Sequence, residues 1–198
     1  MTRIVLLTRI AFCAALIPAA QLASRAYTGN LTANPIEYIT HATGDAAVML
    51  LVITLAVTPL RRLTGWNELI RLRRMLGLFS FFYACLHLLT WAVVDKFFDV
   101  QTMIVDVFER PFITIGMVTF LLLLPLAITS TAGMIRRLGR RWQQLHRLVY
   151  VAATTAVIHF WWGVKADIRE PRLWALALCV LFGFRLWWML RARALSRS

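Results

Sequence analysis

Long apolar stretches constrain the fold of this chain more than any other feature of its sequence. A transmembrane helix needs roughly 20 mostly apolar residues, and six stretches approach or meet that length, at 4–22, 42–60, 75–94, 112–131, 145–164 and 173–190. The chain of 198 residues is 60% hydrophobic and 16% charged, which excludes a conventional soluble enzyme, a disordered chain and a disulfide scaffold. The sequence predicts an all-α, polytopic membrane protein, with residues 1–198 forming a single bundle of six transmembrane helices.

Basic residues are segregated between the two sides of this predicted bundle. Sixteen of the 22 lysines and arginines, with one of the nine acids, lie in segments 61–74 and 136–147 and near the two ends of the chain. The remaining connections hold six bases and eight acids. The positive-inside rule therefore predicts that both termini and both arginine-rich loops are cytoplasmic. The net charge of +13 is explained by contacts with membrane lipids, and no nucleic-acid partner is predicted.

The first stretch has an alternative interpretation. Arg3, the apolar run and small residues around positions 19–23 are typical of a cleaved signal peptide. Because Arg9 interrupts the run, we favour an uncleaved span. Cleavage would leave five spans and the same orientation for the rest.

Three of the four histidines lie inside predicted spans, where an ionisable side chain is costly and marks a candidate functional site. At about 1.5 Å per residue, His87 in the third span and His159 in the fifth lie roughly 12 and 9 Å below the same outer boundary. Imidazoles at one depth on two helices are a natural pair of axial ligands for haem iron. Spacing alone leaves three interpretations open: a haem site, a proton relay in a transporter, or structural hydrogen bonds.

The other two histidines are less well defined by the sequence. His146 lies about 20 Å before His159 on the same predicted span, at the depth of a second site. On an ideal helix the His146 side chain would point some 140° away from that of His159. Both histidines could therefore face cofactors on the same side of the helix only if the helix is distorted, for example by a π-bulge. We interpret His41 as an interfacial residue and leave a role as an alternative ligand open.

Four segments together resemble the MsrQ (YedZ) family of haem-binding membrane subunits, within the ferric-reductase-like transmembrane group. They are RLRRMLGLFSFFYACLHLLTW, ERPFITIGM, LAITSTAGMIRRLGRRWQQLHRLVY and HFWWGVK, in matching order and spacing. The resemblance implies a non-catalytic electron-transfer subunit in the bacterial inner membrane. Electrons would pass from the quinone pool through haem b to a soluble, MsrP-like periplasmic subunit that contains molybdopterin and reduces oxidised methionines. It also implies FMN binding, and it places the haem-associated histidines at His87, His146 and His159.

One position departs from the wider ferric-reductase pattern. Two-haem relatives carry a second histidine roughly 13–14 residues before the first one in the third span, where this chain has Arg73 and Arg74. A guanidinium cannot ligate iron, but it pairs with phosphate and stabilises a reduced, negatively charged ring. We therefore predict an anionic or quinone-type electron-input site at Arg73, Arg74, Trp142 and His146 instead of a second bis-histidine haem. The alternative is that these arginines anchor the spans at lipid headgroups.

The outer loops 95–111 and 165–172 form the predicted docking surface for the soluble partner. Their acidic residues are Asp95, Asp99, Asp106, Glu109, Asp167 and Glu170. The alternative is that these acids are merely solvated.

Other functions are weaker alternatives. A ferric-reductase-like oxidoreductase with another acceptor would need a nicotinamide–flavin module, for which no G-x-G-x-x-G motif is present. A histidine-dependent, proton-coupled transporter would need symmetric broken helices, which the sequence does not show, and a purely structural subunit is the third alternative.

Overall fold

Helices form every regular element of the part of the chain that the structure describes. The computed structural model describes residues 3–164 and 168–195. The helices are α1 (Arg3–Tyr27), α2 (Pro35–Thr64), α3 (Ile70–Leu89), α4 (Val100–Glu109), α5 (Pro111–Ile128), α6 (Ala132–Leu138), α7 (Arg140–Leu145), α8 (Leu148–Gly163) and α9 (Arg169–Leu195). A 3₁₀ turn at Asn67–Leu69 precedes α3, and a π-helical segment at Thr90–Asp95 continues it. The prediction of an all-α membrane protein is confirmed.

Five of these helices are long and apolar enough to cross a membrane. They are Arg3–Tyr27, Pro35–Thr64, Asn67–Asp95, Pro111–Ile128 and Arg169–Ala194. The remaining predicted span, 145–164, is divided between the end of α7 and the 16-residue helix α8. The count of six spans and the cytoplasmic position of both termini remain predictions.

Local sequence signals set the ends of the second helix. Asn34 precedes α2, and its side chain accepts a hydrogen bond from the backbone N–H of Glu37 at 3.3 Å. Pro35 follows at the first helical position, where its missing N–H removes no intrahelical bond. At the other end Gly65 adopts the left-handed conformation, with φ of 70°, which glycine accepts at no steric cost. These signals produce a 30-residue helix, longer than the predicted 42–60 span.

The core lies between α2, α3, α5 and α8, with α9 against one side. Leu55 of α2 and Ala152 of α8 are completely buried, with side chains from α5 and α9 packed around them. A second cluster joins α2 and α3 to α1. Ser80 of α3 donates a hydrogen bond to the Ala47 carbonyl at 2.8 Å and so ties α3 to α2. Small residues at these contacts allow close helix approach, as is usual in membrane bundles.

A tyrosine of α3 interrupts the hydrogen-bond ladder of α1. The Tyr83 hydroxyl accepts from the backbone N–H of Ala19 at 3.1 Å and donates to the Ala15 carbonyl at 2.7 Å. Those two backbone groups would bond to each other in a regular helix. Pro18 lies at the same turn and cannot donate to the ladder. Tyr83, which is 1% exposed, therefore attaches the outer helix α1 to the core.

Candidate cofactor site

The structure brings His87 and His159 together inside the bundle. Their ring centroids are 5.9 Å apart and the ring planes are inclined by 83°. His87 belongs to α3, just before the π-helical segment, and His159 belongs to α8. The equal depth expected from the sequence therefore corresponds to an actual pair of facing imidazoles. Their role as ligands stays a prediction.

Each of these histidines is held by a backbone carbonyl of a neighbouring helix. Nδ1 of His87 lies 2.9 Å from the Thr40 carbonyl oxygen, and Nδ1 of His159 lies 2.7 Å from the Phe112 carbonyl oxygen. A carbonyl only accepts, so Nδ1 carries the proton in both rings. Nε2 is then left with a lone pair, and neither Nε2 forms a hydrogen bond to a residue in the described ranges. This arrangement fixes the tautomer and orientation that a metal-binding imidazole needs.

Glycines lie directly against both rings. A Cβ at Gly44 would lie 3.1 Å from Nδ1 of His87, and a Cβ at Gly116 would lie 2.7 Å from Cε1 of His159. Both glycines are inside helices, where glycine costs about 0.5–1 kcal/mol relative to alanine. Their presence is explained by the space that the imidazoles occupy.

The two halves of the site repeat one arrangement. Each histidine follows its carbonyl partner by 47 residues, and each glycine lies one helical turn after that partner. The set Thr40, Gly44 and His87 thus corresponds to Phe112, Gly116 and His159, displaced by 72 residues in the sequence. The α2–α3 pair and the α5–α8 pair contribute equivalent half-sites. The repeated glycine–histidine spacing could have revealed the two glycines, which were not among the predicted site residues.

A cavity of about 340 Å³ contains both histidines. Its walls are mostly apolar and include Trp91, whose indole N–H is buried without a hydrogen-bond partner in the described chain. Arg110 and His41 lie at the cavity wall as well. A buried N–H without a hydrogen-bond partner is unfavourable. The Trp91 indole therefore favours a ligand that places a hydrogen-bond acceptor in this cavity.

His146 lies outside this cavity, in a separate polar cluster. The chain breaks from regular α-helix at 146–147, with tight backbone bonds from Arg147 to Gln144 and from Tyr150 to Arg147. The distortion is a tightened turn, whereas the π-helical segment lies after His87. Nε2 of His146 lies 3.0 Å from the Thr129 hydroxyl, and the Trp142 ring stacks on the imidazole at 3.9 Å. The structure therefore does not bring His146 to the His87–His159 pair.

Arg73 and Arg74 differ in their surroundings. Arg73 is half-buried and lies near enough to His146 for their charges to interact, whereas Arg74 is exposed. Trp142 donates its indole N–H to the Thr129 carbonyl at 2.9 Å. Of the predicted electron-input residues, the structure gathers Arg73, Trp142 and His146 and leaves Arg74 at the surface.

His41 is 52% exposed and 3.8 Å from the Glu37 carboxylate. This placement agrees with an interfacial residue. Within residues 3–164 and 168–195, no group of three or more histidine, cysteine, aspartate or glutamate side chains could hold a metal ion. A metal at the histidine pair would therefore need further ligands from a cofactor.

The predicted acidic docking loop 95–111 contains a helix, α4, and one of its acids, Asp106, is paired inside the chain. Asp106 is buried between Lys96 at 2.6 Å and Arg110 at 3.2 Å. The hydrogen bond to Asp106 raises the pKa of Lys96. Asp99 begins α4 by accepting from Thr102, and this bonding lowers its pKa.

The surface that α4 exposes is largely apolar. Its exposed apolar side chains are Val100, Ile104, Val105 and Phe108, following Phe97 and Phe98. Glu109 and Glu170 are exposed acids, and the predicted docking residue Asp167 lies outside the described residues.

Comparison with known proteins assigns the chain to a family. The family model described as "Ferric reductase like transmembrane component" matches residues 43–157. A protein of Herminiimonas arsenicoxydans is 52% identical over 99% of this chain and 91% of its own length. A protein of Ralstonia nicotianae is 51% identical over 89% of this chain and 83% of its own length. Both are named protein-methionine-sulfoxide reductase heme-binding subunit MsrQ.

The chain belongs to the MsrQ family. A further member, from Xanthomonas axonopodis pv. citri, is 52% identical over 82% of this chain and 75% of its own length. The match to the ferric-reductase-like model contains α3 with His87 and most of α8, although it ends two residues before His159. No solved structure matches the chain.

Proposed function

We propose that this MsrQ-family chain binds haem b through His87 and His159 and transfers electrons within a periplasmic methionine sulfoxide reductase system. One observation carries the proposal: two imidazoles from different helices face each other, each with Nδ1–H bonded to a backbone carbonyl. A transporter relay is less well supported, because the relatives are named heme-binding subunits.

The residues around the pair fit a haem. Both Nε2 atoms would be free to hold the haem iron, and Gly44 and Gly116 provide space for the rings in their held orientation. The apolar walls suit a porphyrin, while the unpartnered indole N–H of Trp91 and the guanidinium of Arg110 can bind its carboxylate groups.

The residues of the chain bind, orient and insulate the cofactor. When bound, haem supplies reversible one-electron chemistry. The Thr40 and Phe112 carbonyls hold the imidazoles and increase their basicity through the Nδ1–H bonds. Apolar side chains of α2, α5 and α8 limit the access of water from within the bundle.

The two ends of the bundle are assigned different roles in this proposal. The end with the histidine pair is predicted to be periplasmic, where a soluble molybdopterin-containing, MsrP-like subunit would accept electrons. The arginine-rich end would receive them from the quinone pool, directly or through FMN, near Arg73, Arg74 and His146. The nearby charge of Arg73 and the Trp142 ring stacked on His146 support this location. The chain would reside in the bacterial inner membrane.

The first test is the dithionite-reduced minus oxidised spectrum of the full chain purified in detergent. We expect sharp haem b bands that are lost or converted to a high-spin form in His87→Ala and in His159→Ala. His41→Ala is the matched control and should retain the bands, because that side chain is half-exposed and paired with Glu37. A featureless spectrum of the unchanged chain, or loss of haem in His41→Ala alone, would contradict the assignment.

The second test separates haem binding from electron delivery. The chain is reduced in detergent, and its reoxidation is followed after adding the soluble reductase subunit with a methionine sulfoxide substrate. We expect reoxidation of the haem that requires both the subunit and its substrate. Haem that stays reduced in the presence of both would contradict the function while leaving the binding site intact.

A further inference from the structure

A half-buried arginine lies in the middle of the last helix. Arg185 of α9 donates hydrogen bonds to the Tyr150 hydroxyl and, at 3.1 Å, to the Leu55 carbonyl. Its guanidinium carbon lies 4.9 Å from the centre of the Tyr150 ring. A charged side chain at this depth of a membrane helix is costly and marks a functional site. Nothing in the proposed haem site uses it.

Two more arginines approach the same place. The charges of Arg62 and Arg73 both act unfavourably on Arg185, and Arg62 lies over the Trp188 ring at 5.2 Å. None of these three arginines forms an ion pair with a carboxylate of the described ranges. The charges of Arg62 and Arg73 therefore oppose that of Arg185, and no carboxylate of the described ranges compensates it. An anion from outside the chain would relieve this repulsion.

A cavity of about 320 Å³ lies at this cluster, between α2, α8 and α9. Arg62, Tyr150, Arg185 and Thr58 provide its polar lining, and the Thr58 hydroxyl is buried without a partner in the described chain. The rest of the wall is apolar. Leu186 and Met189 line it while remaining 56% and 54% exposed. The cavity therefore opens on the lipid-facing side of α9.

We propose that this α2–α8–α9 cavity binds the phosphate of an anionic phospholipid, with the acyl chains against the apolar wall. Guanidinium pairs strongly with phosphate, often through two parallel hydrogen bonds. Basic pockets between transmembrane helices on the cytoplasmic side bind anionic lipid headgroups. A neutral quinone head would leave the three charges uncompensated. A soluble phosphate ester would supply the anion but would leave the exposed Leu186 and Met189 unused. The proposal does not depend on haem binding.

The test uses the full chain in mild detergent, with phosphatidylglycerol or phosphatidylcholine added and bound lipids counted by native mass spectrometry. We expect phosphatidylglycerol to bind in preference to phosphatidylcholine. Arg185→Gln and Arg62→Gln should each weaken it about tenfold or more, as expected for loss of a hydrogen bond between charged groups. Arg191→Gln is the matched control. It removes the same charge from α9 but lies over Trp187 at 5.6 Å, so affinity should be unchanged.

Two outcomes would overturn the lipid site. One is equal binding of the two lipids, and the other is an equal loss of affinity in Arg191→Gln and Arg185→Gln. Displacement of phosphatidylglycerol by millimolar inorganic phosphate or flavin mononucleotide would assign the cavity to a soluble phosphate compound instead. Circular dichroism checks the folding of each variant. If Arg185→Gln does not fold, Arg62→Gln with the same control decides the outcome.

Discussion

Gly116 lies against the imidazole of His159 so closely that a Cβ would be 2.7 Å from Cε1 and 2.8 Å from Nδ1. Real Cβ atoms essentially never make contacts under 3.0 Å, so a side chain at this position must displace the ring. The same Nδ1 atom donates to the Phe112 carbonyl at 2.7 Å. Displacement of the ring would therefore break the hydrogen bond that fixes its orientation.

Gly116→Ala is expected to lower haem content and to shift the low-spin spectrum, because His159 can no longer keep its position. Gly44→Ala should have a smaller effect, since its Cβ would lie 3.1 Å from Nδ1 of His87. Gly77→Ala is the control, with its nearest contact at an ordinary 3.6 Å. Glycine to alanine inside a helix otherwise stabilises by about 0.5–1 kcal/mol. Full haem content with an unchanged spectrum in Gly116→Ala would show that the contact is not required.

Tyr83→Phe is expected to destabilise the chain by about 0.5–1.5 kcal/mol, because it removes the hydrogen bonds that join α3 to the Ala15 carbonyl and the Ala19 N–H of α1, which can then bond only to each other. The effect should appear as a lower melting temperature in detergent and as faster proteolysis within α1. Tyr27→Phe removes a hydroxyl from a residue that is 93% exposed and should change neither measurement. Equal effects of the two substitutions would contradict a specific role for Tyr83.

The Lys96–Asp106 pair predicts a loss of stability at high pH. Its hydrogen bond raises the pKa of Lys96 above 10.5, so the protonated form favours the folded chain. This contribution is complete below 10.5 and is lost as the pH rises through the raised pKa. Melting temperatures should therefore fall more steeply in this range for the unchanged chain than for Lys96→Met. Lys96→Arg keeps its charge and should resist the fall, and identical profiles for all three would disprove the link.

Substitutions of Arg73 and of Arg74 are expected to have different effects on the rate at which quinol reduces the haem. Arg73→Gln should slow reduction of the haem by quinol about tenfold, the scale of one lost hydrogen bond to a charged group, while leaving the haem spectrum unchanged. Arg74→Gln should have little effect, because that side chain is exposed. The double Arg73→Ala, Arg74→Ala variant should resemble the Arg73 variant. Unchanged reduction in the double variant would eliminate the electron-input site.

The sequence was sufficient to predict a membrane protein, because the length of each apolar stretch can be read directly from the residues. The sequence was also sufficient to predict that His87 and His159 lie at one depth, because helix rise converts residue number into depth. It could not supply the Thr40 and Phe112 carbonyls, which any residue type possesses and which only helix packing selects. The tight turn at 146–147 could not be predicted from the sequence either, because no proline or glycine marks it.

The segment 95–111 shows that the presence of acids in a sequence does not predict which of them are exposed. Its acids predict an exposed docking surface, with solvated acids as the alternative, yet Asp106 is buried between two bases and α4 presents an apolar surface. Asp99 as a helix cap and Pro111 at the start of α5 were signals of this arrangement. The pairing of Asp106 with Lys96 required the fold, because it joins residues on opposite sides of a turn.

The carbonyl contacts of the two histidines also bear on whether protons accompany electrons at this site. Each Nδ1 proton is held by a backbone oxygen that has no titration of its own, and in the proposed function each Nε2 is occupied by the metal. Neither ring then has a nitrogen on which to take up or release a proton. Under the proposed function, a donor that gives up protons with its electrons would have to transfer the protons to other side chains, and the histidine-bound haem would carry electrons alone.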